Sequence, residues 1–129
     1  MRRKSALIFE IKLEAAMIIS FEGEFSENYK VNLSGEFDAL GCKEIREQLE
    51  GVVDRCGERT LALDLKDVSF IDSSGVGAIV FLFKRLRAVK GYLTLVNVQG
   101  QPLELLTLLR VDEAIPVKPF FENDVQSEA

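Results

Sequence analysis

The chain has 129 residues, 47% of them hydrophobic and 29% charged, a balance that fits one soluble globular domain and excludes wholesale disorder. Sixteen basic residues against twenty-one acidic ones leave a formal net charge of −5, which disfavours a nucleic-acid backbone as the main partner. The only two cysteines, Cys42 and Cys56, make neither a disulfide framework nor a zinc site, so a reduced, cytoplasmic chain is expected.

Residues 1–16 begin as an export signal does, with Arg2, Arg3 and Lys4 ahead of apolar residues, but Glu10, Lys12 and Glu14 interrupt the apolar core. They are read as an N-terminal extension, arising as a flexible leader, an upstream start or a helical appendage. Met17–Phe25 and Tyr29–Phe37 then read as two strands joined by the turn-prone Ser26–Asn28. Val31 and Leu33 alternate with Lys30, Asn32 and Ser34, as a sheet with one wet face requires.

After Asp38, Leu40, Ile45, Leu49, Val52 and Val53 recur at spacings of three to five residues, an amphipathic helix ended by Gly57. Thr60–Leu65 alternates as a strand. A second helix carries Val76, Ile79, Val80, Phe83 and Leu86 on one face and stops at Gly91. Tyr92–Val98 is a strand, Gln101–Arg110 a short helix with Pro102 in its first turn, and Ala114–Val117 a last short strand. A polar tail, 118–129, follows the domain at 17–117. The order ββαβαβαβ implies an α/β fold: a mixed sheet of about five strands with right-handed crossovers, packed with α-helices. The longest apolar run, Val76–Phe83, is far short of the ~20 residues that cross a bilayer, so no membrane span is encoded.

Between the third strand and the second helix lies Val68–Phe83, VSFIDSSGVGAIVFLF, with a carboxylate, two hydroxyls and two glycines at one turn. A serine nucleophile needs a base, and the chain has no histidine and no Gly-x-Ser-x-Gly elbow. Gly75-Val76-Gly77 begins a dinucleotide fingerprint that fails at Val80, and Asp72 would repel a pyrophosphate. No P-loop ending is present. Two readings remain. Asp72, Ser73 or Ser74 can cap the helix, with Gly75 and Gly77 allowing tight packing. Alternatively, a hydroxyl there can be phosphorylated, because free amides and the helix dipole tolerate the added charge while a docked partner does not. The glycines would then let a partner backbone approach closely.

These residues resemble a STAS domain, the fold shared by anti-sigma factor antagonists and the cytosolic tails of sulfate transporters. The similarity runs through the strand ending in Asp64-Leu65, Phe70-Ile71-Asp72-Ser73-Ser74-Gly75, the Gly91-x-Leu-x-Leu-x-Asn segment, Leu105-Leu106 and the earlier Gly35-Glu36-Phe37-Asp38. The resemblance implies a non-enzymatic single STAS domain without cofactor, metal or catalytic residues. It implies phosphorylation at Ser74 by an anti-sigma factor that is also a serine protein kinase, reversed by a PP2C-type phosphatase. Asp38, Asp72, Ser73, Ser74, Gly75 and Gly77 would form the partner surface, with Ser73 serving the cap. Ala39-Leu40-Gly41-Cys42 departs from the family's usual opening of the first helix, which implies a specialised surface there.

Phe81 and Leu82 fall off the apolar face, either packing under a neighbouring helix or forming a docking patch. Lys84, Arg85 and Arg87 complement the helix C-terminus. A non-switching STAS subunit, as a stress-complex scaffold or an accessory part of a lipid-transport ATPase, is the alternative function. A small nucleotide-binding or hydrolytic module is a third.

Overall fold

The computed structural model describes residues 17–24 and 28–120. The leader at 1–16, most of the expected Ser26–Asn28 turn and the end of the tail lie outside the described residues. The element order is β1 (Ile18–Glu24), β2 (Asn28–Phe37), α1 (Ala39–Cys56), β3 (Thr60–Ile71), α2 (Ser73–Ala88), β4 (Tyr92–Val96), α3 (Gly100–Leu108), a 3₁₀ turn (Val111–Glu113) and β5 (Val117–Lys118). This is the expected ββαβαβαβ α/β order.

Several boundaries differ from the sequence reading, each for a local reason. β3 runs six residues past Leu65 because the ten-residue β2 supplies partners beyond it, pairing Ser34 with Asp67 and Phe37 with Ile71 across two register shifts. Those irregularities disguise the alternation. β4 stops at Val96, where Asn97 turns to φ 58°, and α3 ends before Arg110 at φ 61°. The last strand is Val117–Lys118 rather than Ala114–Val117: Ile115 is pulled into the core, and Leu95 N donates to Pro116 O to start the ladder.

The five strands lie in the order β1-β2-β3-β4-β5, antiparallel at β1–β2 and parallel thereafter. Every crossover steps in the same direction, and right-handed connections therefore place all three helices on one face. The core agrees. Tyr29, Val31, Leu33, Leu61, Leu63, Leu93 and Leu95 from the sheet form one cluster with Ile45, Val52, Ile79, Leu86 and Leu106 from the helices.

The opposite face carries a different set of side chains. One cross-strand row there is Ser20, Asn32, Asp64, Val96 and Lys118; the next includes Lys30, Ala62 and Thr94. Lys30 and Asp64 form an ion pair at 3.5 Å with side chains only 4% and 0% exposed. Asp64 also accepts from Lys66 N and Asn97 Nδ2, both at 2.9 Å. Those bonds help offset the desolvation of a buried carboxylate.

β2 and β3 finish level with each other, and their ends are tied by Asp72 N donating to Phe37 O at 3.4 Å. The first turn of α2 is consequently pressed onto the β2 terminus. A Cβ on Gly75 would collide with Phe37 O and the Ile71 side chain, whereas a Cβ on Gly77 would meet nothing within 4 Å.

Two stability predictions follow from this packing. In urea denaturation, Gly75→Ala should cost about 1–3 kcal/mol through overpacking, while Gly77→Ala should gain about 0.5–1 kcal/mol through helix propensity. Asp64→Ala should cost about 3–5 kcal/mol by removing the buried carboxylate paired with the Lys30 ammonium, and Lys30→Met combined with Asp64→Leu should recover most of that loss.

Candidate functional site

Because β2 and β3 are parallel and end together, α1 and α2 begin side by side above their carboxyl ends. That is where open parallel sheets place ligands and partners. Each helix is capped by the aspartate that leaves its strand. Asp38 Oδ1 accepts from Gly41 N at 2.9 Å, and Asp72 Oδ1 accepts from Ser74 N at 2.9 Å and Gly75 N at 3.2 Å. Both capping residues have extended backbones, as N-caps do.

The cap role expected of Ser73 is therefore filled by Asp72. Ser73 and Ser74 are both exposed in the first turn of α2, but Ser74 lines the groove between α1 and α2 and Ser73 does not. Gly75, expected on the partner surface, is buried, and the space saved by its missing side chain is occupied by Phe37. Gly77 is exposed and lies in the groove wall with nothing against it.

The groove has a volume of about 410 Å³. α1 contributes Cys42, Arg46, Leu49 and Val53, and α2 contributes Ser74, Gly77, Ala78, Phe81, Leu82 and Arg85. Most of these side chains are apolar, with guanidinium groups on both walls. Phe81 and Leu82, placed together by the sequence reading, have opposite fates. Leu82 is buried because α1 packs against α2 at this point, and Phe81 is 51% exposed at the groove lip. Arg85 lies over the Phe81 ring at 5.5 Å from its centroid while also sitting in the last turn of α2, so it serves both the lip and the helix terminus.

Arg46 and Glu50 are wall residues that sequence reasoning missed, while Cys42 falls in the segment it marked as a specialised surface. All three recur every four residues on α1, a stripe legible as one helix face but not as the face opposite Ser74. Burial pushes the Cys42 thiol pKa up, and the carboxylates of Asp72 and then Asp38 push it further, against a smaller opposing effect from Arg46. Cys42 thus lies within electrostatic reach of both capping carboxylates and of Arg46. Among the described residues no cluster of acidic or thiol side chains could hold a metal ion, and no helix is long and apolar enough to cross a membrane.

Comparison with known proteins agrees with this architecture. The STAS domain family model matches residues 19–126. The chain is 31% identical over 111 residues to the anti-sigma-B factor antagonist of Bacillus subtilis, a match covering 85% of this chain and 100% of that protein. Its fold is shared with the anti-sigma factor antagonist SpoIIAA in its unphosphorylated form, at a TM-score of 0.62 and 24% identity over 86% of this chain and 96% of that one. The Bacillus cell fate determinant SpoIIAA in its phosphorylated form gives a TM-score of 0.63 and 21% identity over 87% and 100% of the two chains. A family model that spans most of the chain and a relative 31% identical over its whole length together assign the chain: it belongs to the STAS domain family.

Proposed function

We propose that this protein is an anti-sigma factor antagonist of a partner-switching pathway. Its unmodified form binds an anti-sigma factor that is also a serine protein kinase; phosphorylation at Ser74 ends that binding, and a PP2C-type phosphatase restores it. The observation that carries this reading is the position of Ser74, exposed at the start of α2 and at the mouth of an apolar groove. The similarity to antagonists of known name supports the general role.

The chemistry favours a switch at this hydroxyl. A phosphoserine adds about −1.5 to −2 charges at pH 7. The amides of Ser74 and Gly75 already donate to Asp72, so the phosphate would meet the helix dipole but not those two free donors. Its charge would add to the carboxylates of Asp38 and Asp72 and project outward. The folded domain tolerates that charge at a helix N-terminus, whereas a partner seated over the groove must desolvate it. Asp38, Asp72, Ser73, Ser74 and Gly77 form the contact surface in this reading, with Phe81 and Arg85 extending it along the groove.

The cognate kinase with ATP should place one phosphate on the wild-type chain and none on Ser74→Ala. In direct binding, Ser74→Ala should keep its affinity for the kinase and Ser74→Asp should lose about tenfold or more, equivalent to about 1.4 kcal/mol. Undiminished binding by Ser74→Asp would refute the switch. The cysteines supply an independent readout, since Cys42 is half-buried in the groove and Cys56 is buried in the core. Bound partner should slow maleimide labelling of Cys42. In the free protein, the raised pKa should make Cys42 slower than a free thiol near pH 8, with the gap closing as pH rises.

A further inference from the structure

We propose that Gln101 is a positioning residue for Ser74: from α3 it grips the peptide group that precedes Asp72 and so sets the turn that carries the hydroxyl. This role rests on the reading of Ser74 as the switch, but its geometry stands in the free domain. β4 pairs with β3 only as far as Asp64 opposite Val96, while β2 accompanies β3 to Phe37 opposite Ile71. The end of β3 thus has a strand on one side, and on the other the Gln101 side chain takes the place of a strand at Ile71. Ile71 N donates to Gln101 Oε1 at 2.9 Å, and Gln101 Nε2 donates to Ile71 O at 2.8 Å.

A carboxamide that gives and receives at once fixes direction as well as distance, because both bonds must lie near its plane. The peptide group between Ile71 and Asp72 is held at its carbonyl by Gln101 and at its N–H by Phe37 O, the latter at 3.4 Å. The Gln101 bond is the shorter and therefore the stronger hold. From this peptide plane Asp72 departs at φ −121° and ψ −169°, the extended conformation that lets its carboxylate accept from Ser74 N and Gly75 N. A rotation of the plane would swing the carboxylate off those amides and loosen the first turn of α2, where Ser74 stands.

Gln101 is itself anchored. Gly100, at φ 65°, turns the chain into α3, and Pro102 and Leu106 are buried behind it. The Gln101 side chain is partly buried and lies outside the groove between α1 and α2. A substitution there acts on Ser74 through the backbone and leaves the groove lining unchanged.

Hydrogen exchange followed by NMR tests this on the free protein. In Gln101→Met, which keeps the side-chain length and removes both bonds, the Ser74 and Gly75 amides should lose about tenfold in protection relative to the buried Leu63. Loss at Ile71 alone, with Ser74 and Gly75 unchanged, would mean that the packing of Gly75 on Phe37 suffices, and would overturn the proposal. In the unaltered protein, a side-chain amide hydrogen of Gln101 should exchange at least about tenfold more slowly than those of the exposed Gln99, and equal rates would overturn it as well. With the cognate kinase and ATP, Gln101→Met should lower kcat about tenfold and leave KM within about twofold, as a misplaced hydroxyl on an intact docking surface does. A raised KM with kcat unchanged marks a smaller folded fraction and counts against positioning. If wild-type Ser74 takes no phosphate the switch reading fails, and the exchange rates still decide whether Gln101 sets the turn.

Discussion

The parallel pairing of β2 with β3 is the constraint on which the site depends. Phe37 lies opposite Ile71, so both strands release their chains at the same height, each through an aspartate that turns and caps the next helix. Two N-termini are thereby set next to each other, with their positive ends and two carboxylates in one small region. Gly75 allows the second helix to start against the backbone of β2, where a Cβ would collide with Phe37 O and the Ile71 side chain. The hydroxyl owes its position to this junction of two strands and two caps.

The groove follows from the same geometry. Helices that begin together and run back over a twisted sheet leave a furrow where their side chains do not fill the space, and here its walls are Cys42, Arg46 and Leu49 on one side and Ala78, Phe81 and Leu82 on the other. Small residues at 77 and 78 keep it open near Ser74. An added phosphate would stand at the entrance to an apolar surface, the place where an uncompensated charge costs a docked partner most.

The sheet has two faces with different chemistry, and the crossover rule accounts for the division. Three right-handed connections in one direction bury the leucine-rich rows under helices and leave the Lys30, Asn32, Asp64 rows on the reverse. In the sequence, the alternation of Val31 and Leu33 with Lys30 and Asn32 reads as one dry face and one wet face. The burial of Lys30 and Asp64 departs from that reading, and no periodicity could show it, because the ion pair joins residues thirty-four positions apart on neighbouring strands. Asn32 Oδ1 is buried in the same rows without a hydrogen-bond partner, a cost this polar layer carries.

Most of the architecture was legible from local signals: apolar periodicity, Asp38 and Asp72 before the helices, Gly57 and Gly91 after them. What local patterns missed lay where tertiary contacts override them, as in the extension of β3 beyond Leu65 and the displacement of the last strand by the buried Ile115. Residue types brought Asp72, Ser73 and Ser74 forward as candidates, since chemistry at a helix start depends on few neighbours, and the resemblance to STAS domains singled out Ser74 and added Asp38. Four distinctions came only from the tertiary structure: Asp72 rather than Ser73 as the cap, Gly75 inside and Gly77 outside, Leu82 buried and Phe81 exposed, and Cys42 with Arg46 facing Ser74. The physical reason is common to all four. Backbone conformation and helix faces are set by residues a few positions apart, but which face meets another helix, a strand end or solvent is settled by contacts between segments that the chain order separates.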